Sequence, residues 1–341
     1  MDAPLELSRA QILAFRRRVG ALDARLPPGR RSLRQAAWAG LQDSMPRAAS
    51  LSLHARVEGT SPTTFRDRSL VQLWGPRFSC YVVAARDVAP FTLGRHPEDE
   101  NGQRRAEELA ARLKDHLNGG RMRADDAGRA VRGDHNSLRY AATTGTVLID
   151  WDGARRPMVW TVPPPAMAAG QARLELARRY LHIFGPTTPE SFADWAGIPV
   201  PDGRAAFRAL GRSLTAVRTP LGDAWILGRD EPASRADPGP PAAARLLPSG
   251  DAYTLLQAAD RTLLVPDSRR RGKLWTPRVW PGAILLDGEI AGVWRRAHDI
   301  VKAELWGRST GAARSAVEAE AATLPLPGLE GRIRVRWGAV G

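Results

Sequence analysis

The segment from Gln171 to Leu227 holds the pattern that most constrains the fold. It predicts three consecutive helices, the first two each ended by a glycine, and then two short strands around a Pro-Leu-Gly-Asp turn. Thr188 stands where the second helix needs an N-cap, and Pro189 suits its first helical position. Three helices followed by a two-stranded ribbon is the order of the winged helix-turn-helix, a DNA-binding unit.

The same order recurs twice upstream. In the second copy, helices are predicted over 104–117, 123–129 and 136–143, with strands over 146–151 and 157–162 joined by an Asp-Gly turn. In the first copy, helices are predicted over 8–18, 33–42, 46–58 and 66–74, with a strand over 78–83. An internal repeat of this length describes the whole architecture and not one segment.

A Pro- and Gly-rich stretch separates these units from a different C-terminal region. Strands are predicted there over 262–265, 283–286, 289–294 and 332–337, with a hairpin turn at Asp287-Gly288 and one helix near 312–323. The predicted fold is therefore α+β, with tandem winged helix-turn-helix units followed by a small C-terminal β-rich domain. The predicted limits are 1–100 for the N-terminal helix and first winged helix, 101–165 for the second, 166–230 for the third, 231–245 for the linker and 246–341 for the last domain.

The chain has an excess of positive charge, with 50 Lys and Arg against 36 Asp and Glu, for a net charge of +14. High-GC codon usage would explain the choice of arginine over lysine, but it does not explain the excess over acidic residues. A strongly basic chain attracts polyanions, and DNA is the first candidate. The single cysteine, Cys80, excludes an intramolecular disulfide and a cysteine-based metal cluster.

Other sequence features set the expected surroundings of the protein. No uninterrupted apolar run is long enough to span a bilayer, and the first residues lack the pattern of a secretory signal. We therefore expect a cytoplasmic protein that has no membrane contact, metal or cofactor. Because no dimerisation heptads are present, we also expect a monomer.

Three blocks of sequence point to a known family. The stretch from Ala39 to Val57, Ala-Gly-Leu-Gln-Asp-Ser-Met-Pro-Arg-Ala-Ala-Ser-Leu-Ser-Leu-His-Ala-Arg-Val, resembles the signature of the winged-helix DNA glycosylases of the AlkZ and YcaQ type. Blocks from Leu176 to Gly197 and from Leu246 to Arg296 fit the same family in order and spacing. The resemblance implies three winged helices and a C-terminal β-domain that cradle duplex DNA. It also implies DNA repair or antibiotic self-resistance, by excision of bulky N7- or N3-alkylated purines or by unhooking of interstrand crosslinks.

The resemblance places the catalytic residues in a Gln-x-Gln or Gln-x-Asp motif, which here reads Gln42-Asp43-Ser44. Gln42 matches the first catalytic position, and Ser44 stands where the family has Gln or Asp. Gln42 and Ser44 are expected to hold the attacking water, and Asp43 would act as a base if its side chain turned inward. Each has a structural alternative: Gln42 and Asp43 as solvated residues at a helix end, and Ser44 as an N-cap.

Basic residues near these blocks are predicted to contact DNA phosphates, with solvated loops as the alternative. They are Arg47, Arg269, Arg270, Arg271, Lys273, Arg295 and Arg296. The tryptophans at 151, 160, 195 and 225 are interpreted as core residues and not as base-stacking surfaces. Since no lysine near the motif is placed to form a Schiff base, a glycosylase would be monofunctional. The alternative is a winged-helix protein that binds or shields DNA adducts without catalysis.

Overall fold

A computed structural model describes residues 5–43, 47–153, 155–256, 259–307, 309–326 and 332–340. The α-helices are α1 Arg9–Val19, α2 Arg30–Ala36, α3 Ala48–Arg56, α4 Val88–Phe91, α5 Glu100–Leu117, α6 Ala124–Ala130, α7 Ser137–Ala141, α8 Ala169–Phe184, α9 Pro189–Ala196, α10 Val200–Leu210, α11 Glu231–Arg235, α12 Asp260–Leu264, α13 Ser268–Leu274 and α14 Gly311–Ala322. The strands are β1 Leu5–Glu6, β2 Leu41–Gln42, β3 Leu70–Trp74, β4 Cys80–Ala84, β5 Met122–Arg123, β6 Val147–Asp150, β7 Met158–Thr161, β8 Leu214–Thr219, β9 Gly222–Leu227, β10 Ala244–Leu247, β11 Gly282–Leu286, β12 Glu289–Ala297, β13 Ile300–Leu305 and β14 Arg334–Trp337. Helices and strands alternate in this order to give a mixed α+β fold.

The first two predicted units share one six-stranded sheet, ordered β2-β4-β3-β6-β7-β5. Strands β3 and β4 form an antiparallel hairpin, and β3 also pairs with β6 where Gln72 lies opposite Ile149. The hairpin β6–β7 of the second unit therefore continues the sheet of the first. Helices α5, α6 and α7 lie in the ranges predicted for the second unit, so this part of the prediction is confirmed.

Three short segments differ from the prediction. The helix predicted over 66–74 is wrong, because residues 70–74 form β3. The helix predicted over 33–42 ends early at Ala36, and its last residues form β2. The strand predicted over 262–265 is also wrong, since α12 covers most of it. A short apolar run that is buried on both faces lacks the alternation that separates a strand from a buried helix.

The third unit follows its prediction closely. Helices α8, α9 and α10 are followed by the hairpin β8–β9, and the Thr188 side chain accepts a hydrogen bond from the Ser191 amide as the predicted N-cap. Trp195 is 1% exposed and stacks against Tyr180, which confirms it as a core residue. Trp225 is 38% exposed, so its assignment to the core is wrong.

The C-terminal region is a five-stranded sheet, ordered β10 to β14, with α14 packed against it. Asp287 and Gly288 have φ values of 47° and 82°, as the predicted hairpin turn between β11 and β12 requires. Strands β10 and β13 were not among the predicted elements. The short helix α11 lies within the predicted linker and packs against α1.

Helix α1 joins the beginning of the chain to its later parts. Its N-cap is Ser8, and β1, just before it, pairs in parallel with β8 of the third unit. Arg16 is buried and donates hydrogen bonds to the carbonyls of Gly185 and Pro186. Buried Arg17 donates to the carbonyl of Gly288. These arginines stabilise the fold and are withdrawn from any role in binding DNA.

Candidate active site and nucleic-acid interface

Strand β2 brings Gln42 to the boundary between the first unit and the C-terminal region. Its backbone pairs with Tyr81 of β4, and the Tyr81 hydroxyl donates a hydrogen bond of 3.5 Å to Gln42 Oε1. Burial raises the pKa of Tyr81 to about 12, so this hydroxyl stays a donor at neutral pH. Gly250 faces the other end of the carboxamide, where an added Cβ would lie 3.5 Å from Gln42 Nε2. The half-buried carboxamide thus has Tyr81 at its oxygen and Gly250 close to its nitrogen.

Asp43 is buried, and its carboxylate accepts two hydrogen bonds from the protein. Oδ1 accepts from the Ala49 amide at 3.0 Å, in the first turn of α3, and Oδ2 accepts from Gln72 Nε2 at 2.9 Å. Gln72 Oε1 in turn accepts from the Trp151 amide at 2.7 Å. A carboxylate at a helix N-terminus is stabilised by the unpaired amides there. This geometry favours a positioning role for Asp43, which ties α3 to the shared sheet, over the role of a base.

Ser44, the second predicted catalytic residue, lies outside the described residues together with Met45 and Pro46. The sequence suggested Ser44 as the N-cap of α3. The Asp43 carboxylate accepts a hydrogen bond from the Ala49 amide in the first turn of this helix. Arg47, next along the chain, has a φ of 66°, and its guanidinium lies 4.7 Å from the centre of the Phe65 ring. The positive charge of Arg47 also acts on Asp43, where it lowers the pKa of the carboxyl against the larger effect of burial.

A cavity of about 300 Å³ lies between the first turns of α3 and the C-terminal region. Ser249 lines this cavity, and the next residue, Gly250, lies close to the Gln42 carboxamide. Its other lining residues are Arg47, Ala48, Leu51, Pro248, Trp280, Pro281, Gly282, Trp294, Arg295, Arg296, Pro325 and Leu326. Three of the seven predicted DNA-contacting residues are therefore brought together there. The cavity combines flat apolar walls with guanidinium groups, which suits a planar base attached to a phosphate backbone.

Arg295 is half-buried, whereas Arg296 lies at the surface with a partly desolvated guanidinium. Arg295 Nη2 donates to the Val279 carbonyl at 2.7 Å, which fixes the guanidinium at the cavity wall. Burial lowers the pKa of Arg296, although the group remains charged at neutral pH. Charges held in a partly dry site bind anions more strongly than solvated ones do.

The four other predicted basic residues all lie in α13 and are Arg269, Arg270, Arg271 and Lys273. Arg271 donates to the carbonyls of Val265 and Pro266, and Arg270 pairs with Asp267 at 3.3 Å. Lys273 forms an ion pair with Glu304. Among the described residues, Arg269 is the member of this group whose side chain has no ion pair or hydrogen bond. Phosphate contacts by the other three would compete with partners inside the protein.

A buried ion pair behind the site links α3 to the C-terminal region. Arg56 and Asp251 meet at 2.7 Å with side-chain exposures of 4% and 0%, and Ser52 Oγ donates to Asp251 Oδ2 at 2.6 Å. Burial raises the pKa of Asp251, but Arg56 and the hydrogen bonds outweigh it, and the net pKa is below its usual value. Because Gly250 precedes Asp251, this pair anchors the wall that Gln42 contacts. The sequence reasoning did not identify it.

Asp43 is expected to give the protein a component of stability that decreases as pH rises. Burial raises its pKa from 3.8 to about 6, so the folded protein holds this proton more tightly than the unfolded chain does. The free energy of unfolding should therefore decrease from about pH 4 to about pH 6 through this group. Asp43→Asn should remove that component, which urea denaturation across this range would measure. Asp67→Asn is the matched control, because the pKa of Asp67 is lowered by its bond from the Ser69 amide and the sign reverses.

No group of three or more His, Cys, Asp or Glu side chains is arranged to hold a metal ion within the described part of the chain. The helices described there include none that is long and apolar enough to cross a membrane. The groups described so far are a carboxamide with a hydrogen-bond partner, a nearby cavity and the guanidinium groups that line it.

Comparisons with known proteins point to one family. A family model described as DNA glycosylase AlkZ-like matches residues 35–325. The solved structure of Streptomyces sahachiroi DNA glycosylase AlkZ is similar, with a TM-score of 0.78 over 98% of this chain and 100% of that one, at 19% sequence identity. At that identity the structural match shows the fold alone. No curated protein matched the chain in sequence.

Proposed function

Because this chain belongs to the AlkZ-like DNA glycosylase family, a family of enzymes that hydrolyse N-glycosyl bonds in DNA, we propose that it releases alkylated purines from duplex DNA at Gln42. The observation that carries the proposal is the placement of the Gln42 carboxamide. It accepts a hydrogen bond from the Tyr81 hydroxyl, it lies close to Gly250, whose neighbour Ser249 lines a cavity, and it remains half-exposed. Family membership also favours this enzyme over a protein that binds adducts without catalysis.

Hydrolysis of the glycosidic bond of an alkylated purine needs few catalytic groups. Breaking the glycosidic bond develops positive charge on the sugar, and an N7- or N3-alkylated purine is already cationic and leaves as a neutral base. No general acid is needed, so a dipole that orients water and faces the developing charge is sufficient. Gln42 supplies that dipole, and Ser44 is proposed to bind the same water. Water is the nucleophile in a monofunctional reaction, since the chain has only three lysines and Lys273 is paired with Glu304.

The cavity that Ser249 lines is proposed to receive the modified base or its alkyl group. Half-buried Trp280 provides an aromatic surface for stacking, while Arg47, Arg295 and Arg296 reach the flanking phosphates. A base with a bulky substituent, or one strand of an interstrand crosslink, would fill this space better than an unmodified purine. DNA repair, including self-resistance to an alkylating antibiotic, is the role that such a substrate supports.

The architecture of the enzyme is proposed to be three tandem winged helices with a C-terminal domain, with limits at 1–100, 101–165, 166–230, 231–245 and 246–341. The three-helix order and hairpin of the third unit support this division, and so do the matching elements of the second. We further propose that a single copy acts as a monomer in the cytoplasm.

Single-turnover excision tests the proposed function. The purified enzyme is mixed in excess with a duplex that carries one N7-alkylguanine, and free base is followed by chromatography. We expect release from the alkylated site and none from unmodified guanine in the same duplex. If no cationic adduct is released while duplex binding is intact, the protein binds DNA without acting as a glycosylase on these lesions.

A further inference from the structure

A second groove, of about 580 Å³, lies between the first and second units, lined by residues 74–80 of one and by residues near β6 and β7 of the other. Its lining includes Arg139, Arg155, Arg156, Trp151, Phe78 and Cys80. None of the residues that line it is acidic within the described part of the chain. Cavities of roughly 300–1,000 Å³ hold ligands of the size of a nucleotide. The groove is thus large enough, and basic enough, to receive one.

Its arginines retain capacity to bind an anion. Arg139 Nε is buried and has no hydrogen-bond partner in the described structure. Arg155 and Arg156 are exposed, and Arg156 shares its charge with Asp125 at 3.3 Å. A buried donor without a partner costs free energy, which a phosphate oxygen in the groove would recover.

Aromatic rings stand in the same groove. Trp151 is half-buried, and its indole is fixed by a 2.8 Å hydrogen bond from Nε1 to the Arg155 carbonyl. Phe78 packs against Tyr140 with ring centres 5.2 Å apart, and Tyr140 is 39% exposed. Rings that are held rigidly lose little conformational freedom when a base stacks on them.

The groove is connected to the catalytic strand. The Asp43 amide donates to the carbonyl of Cys80 at 2.8 Å, and Cys80 lines the groove. Trp151 is also linked to the Asp43 side chain. Its amide donates a hydrogen bond to Gln72 Oε1, and Gln72 Nε2 donates one to the Asp43 carboxylate. The groove is therefore joined through the interior of the protein, by the buried strand β4, to the strand that carries Gln42.

We propose that this groove binds an unpaired nucleotide, with its base against Trp151 and its phosphate at the arginines. The surface of an intact duplex presents phosphates and groove edges. Its base faces are stacked inside the helix, so they cannot stack on aromatic rings of a protein. A basic groove with aromatic rings is the combination found where proteins bind single-stranded DNA. The enzyme should therefore bind DNA that contains a single-stranded segment, such as a fork or gap, in addition to duplex.

Fluorescence anisotropy with undamaged DNA tests this inference. The full-length protein is titrated with a labelled single strand and with the blunt duplex of the same sequence, at one salt concentration. Trp151→Leu should weaken single-strand binding by about tenfold and duplex binding by less than about twofold, because a stacking ring contributes about 1–3 kcal/mol per base. Trp225→Leu, which removes an exposed indole outside the groove, should leave the ratio of the two dissociation constants unchanged.

Two results would overturn the inference. Equal weakening of both complexes by Trp151→Leu would mean that the groove holds only the backbone of intact duplex, and no weakening would mean that it binds no DNA. If that variant fails to fold, the exposed Arg155→Gln gives a second measurement. It should reduce the log–log salt slope of single-strand binding by about 0.7, the value for one phosphate, and an unchanged slope would contradict the proposal. Because these strands carry no lesion, the result does not depend on base release at Gln42.

Discussion

Gln42→Ala is expected to slow the release of an N7-alkylguanine from duplex DNA by about 10²- to 10³-fold, the usual cost of removing one oriented dipole from a transition state. The substitution removes the carboxamide that Tyr81 and Gly250 hold in place and leaves the backbone pairing of β2 intact. The loss should appear in the single-turnover rate constant. Duplex affinity, measured by anisotropy, should change by less than about twofold, because phosphate contacts dominate that affinity.

A control of the same chemical change is available in the first unit. Gln35 is exposed on α2, so Gln35→Ala also replaces a glutamine by alanine but leaves the site untouched. It should release the base at the wild-type rate. If Gln42→Ala were equally active, catalysis would have to be assigned to other groups, and Asp43 and Ser44 would be the next to test.

Asp251→Asn is expected to lower the free energy of unfolding by about 3–5 kcal/mol, because it leaves the Arg56 charge buried without its counter-charge. Urea denaturation at neutral pH measures this loss. The pKa of Asp251 is lowered by its partners despite burial, so the ion pair contributes stability above about pH 4 and loses it as the carboxylate is protonated in more acidic solution. Wild type and variant should therefore become more alike as pH falls.

An exposed ion pair provides the matched control. Arg204 and Glu190 also meet at 2.7 Å, but their side chains are 58% and 46% exposed. Glu190→Gln should cost only about 0–1 kcal/mol, since water screens such a pair. If Asp251→Asn cost no more than this, burial would add nothing to the Arg56–Asp251 pair. The difference between the two variants thus measures what burial and the additional hydrogen bonds of Asp251 contribute together.

Local signals explain which parts of the fold the sequence predicts. The third unit is predictable because Thr188 caps α9, Gly197 ends it, and a tight turn separates β8 from β9. Pairing between distant strands leaves no such signal. The continuous sheet through β3 and β6 depends on Gln72 and Ile149, which lie far apart in the chain.

The candidate site also has one part that a local sequence signal predicts and another that depends on residues distant in the chain. The position of Gln42 follows from a local motif, whereas the role of Asp43 depends on Ala49 and Gln72, which only the folded chain brings to it. The arginines of α13 read as a DNA-binding cluster in sequence. In the structure, Arg271 instead donates hydrogen bonds to two main-chain carbonyls. Such bonds cannot be predicted from the sequence, because every residue has a main-chain carbonyl. Charge counts therefore predict that the protein binds a polyanion, but not which arginines do so.

The attachments of α1 have a consequence for the order in which the protein acquires its structure. Leu5 pairs with Val217, Arg16 binds the carbonyl of Gly185, and Arg17 binds that of Gly288. During synthesis from the N-terminus, none of these partners exists until most of the chain has left the ribosome. Contacts between such distant residues also form slowly, because a long loop must close first. Helix α1 is therefore synthesised long before the residues that fix it, and its packing is complete only after the β11–β12 turn of the C-terminal sheet has been made.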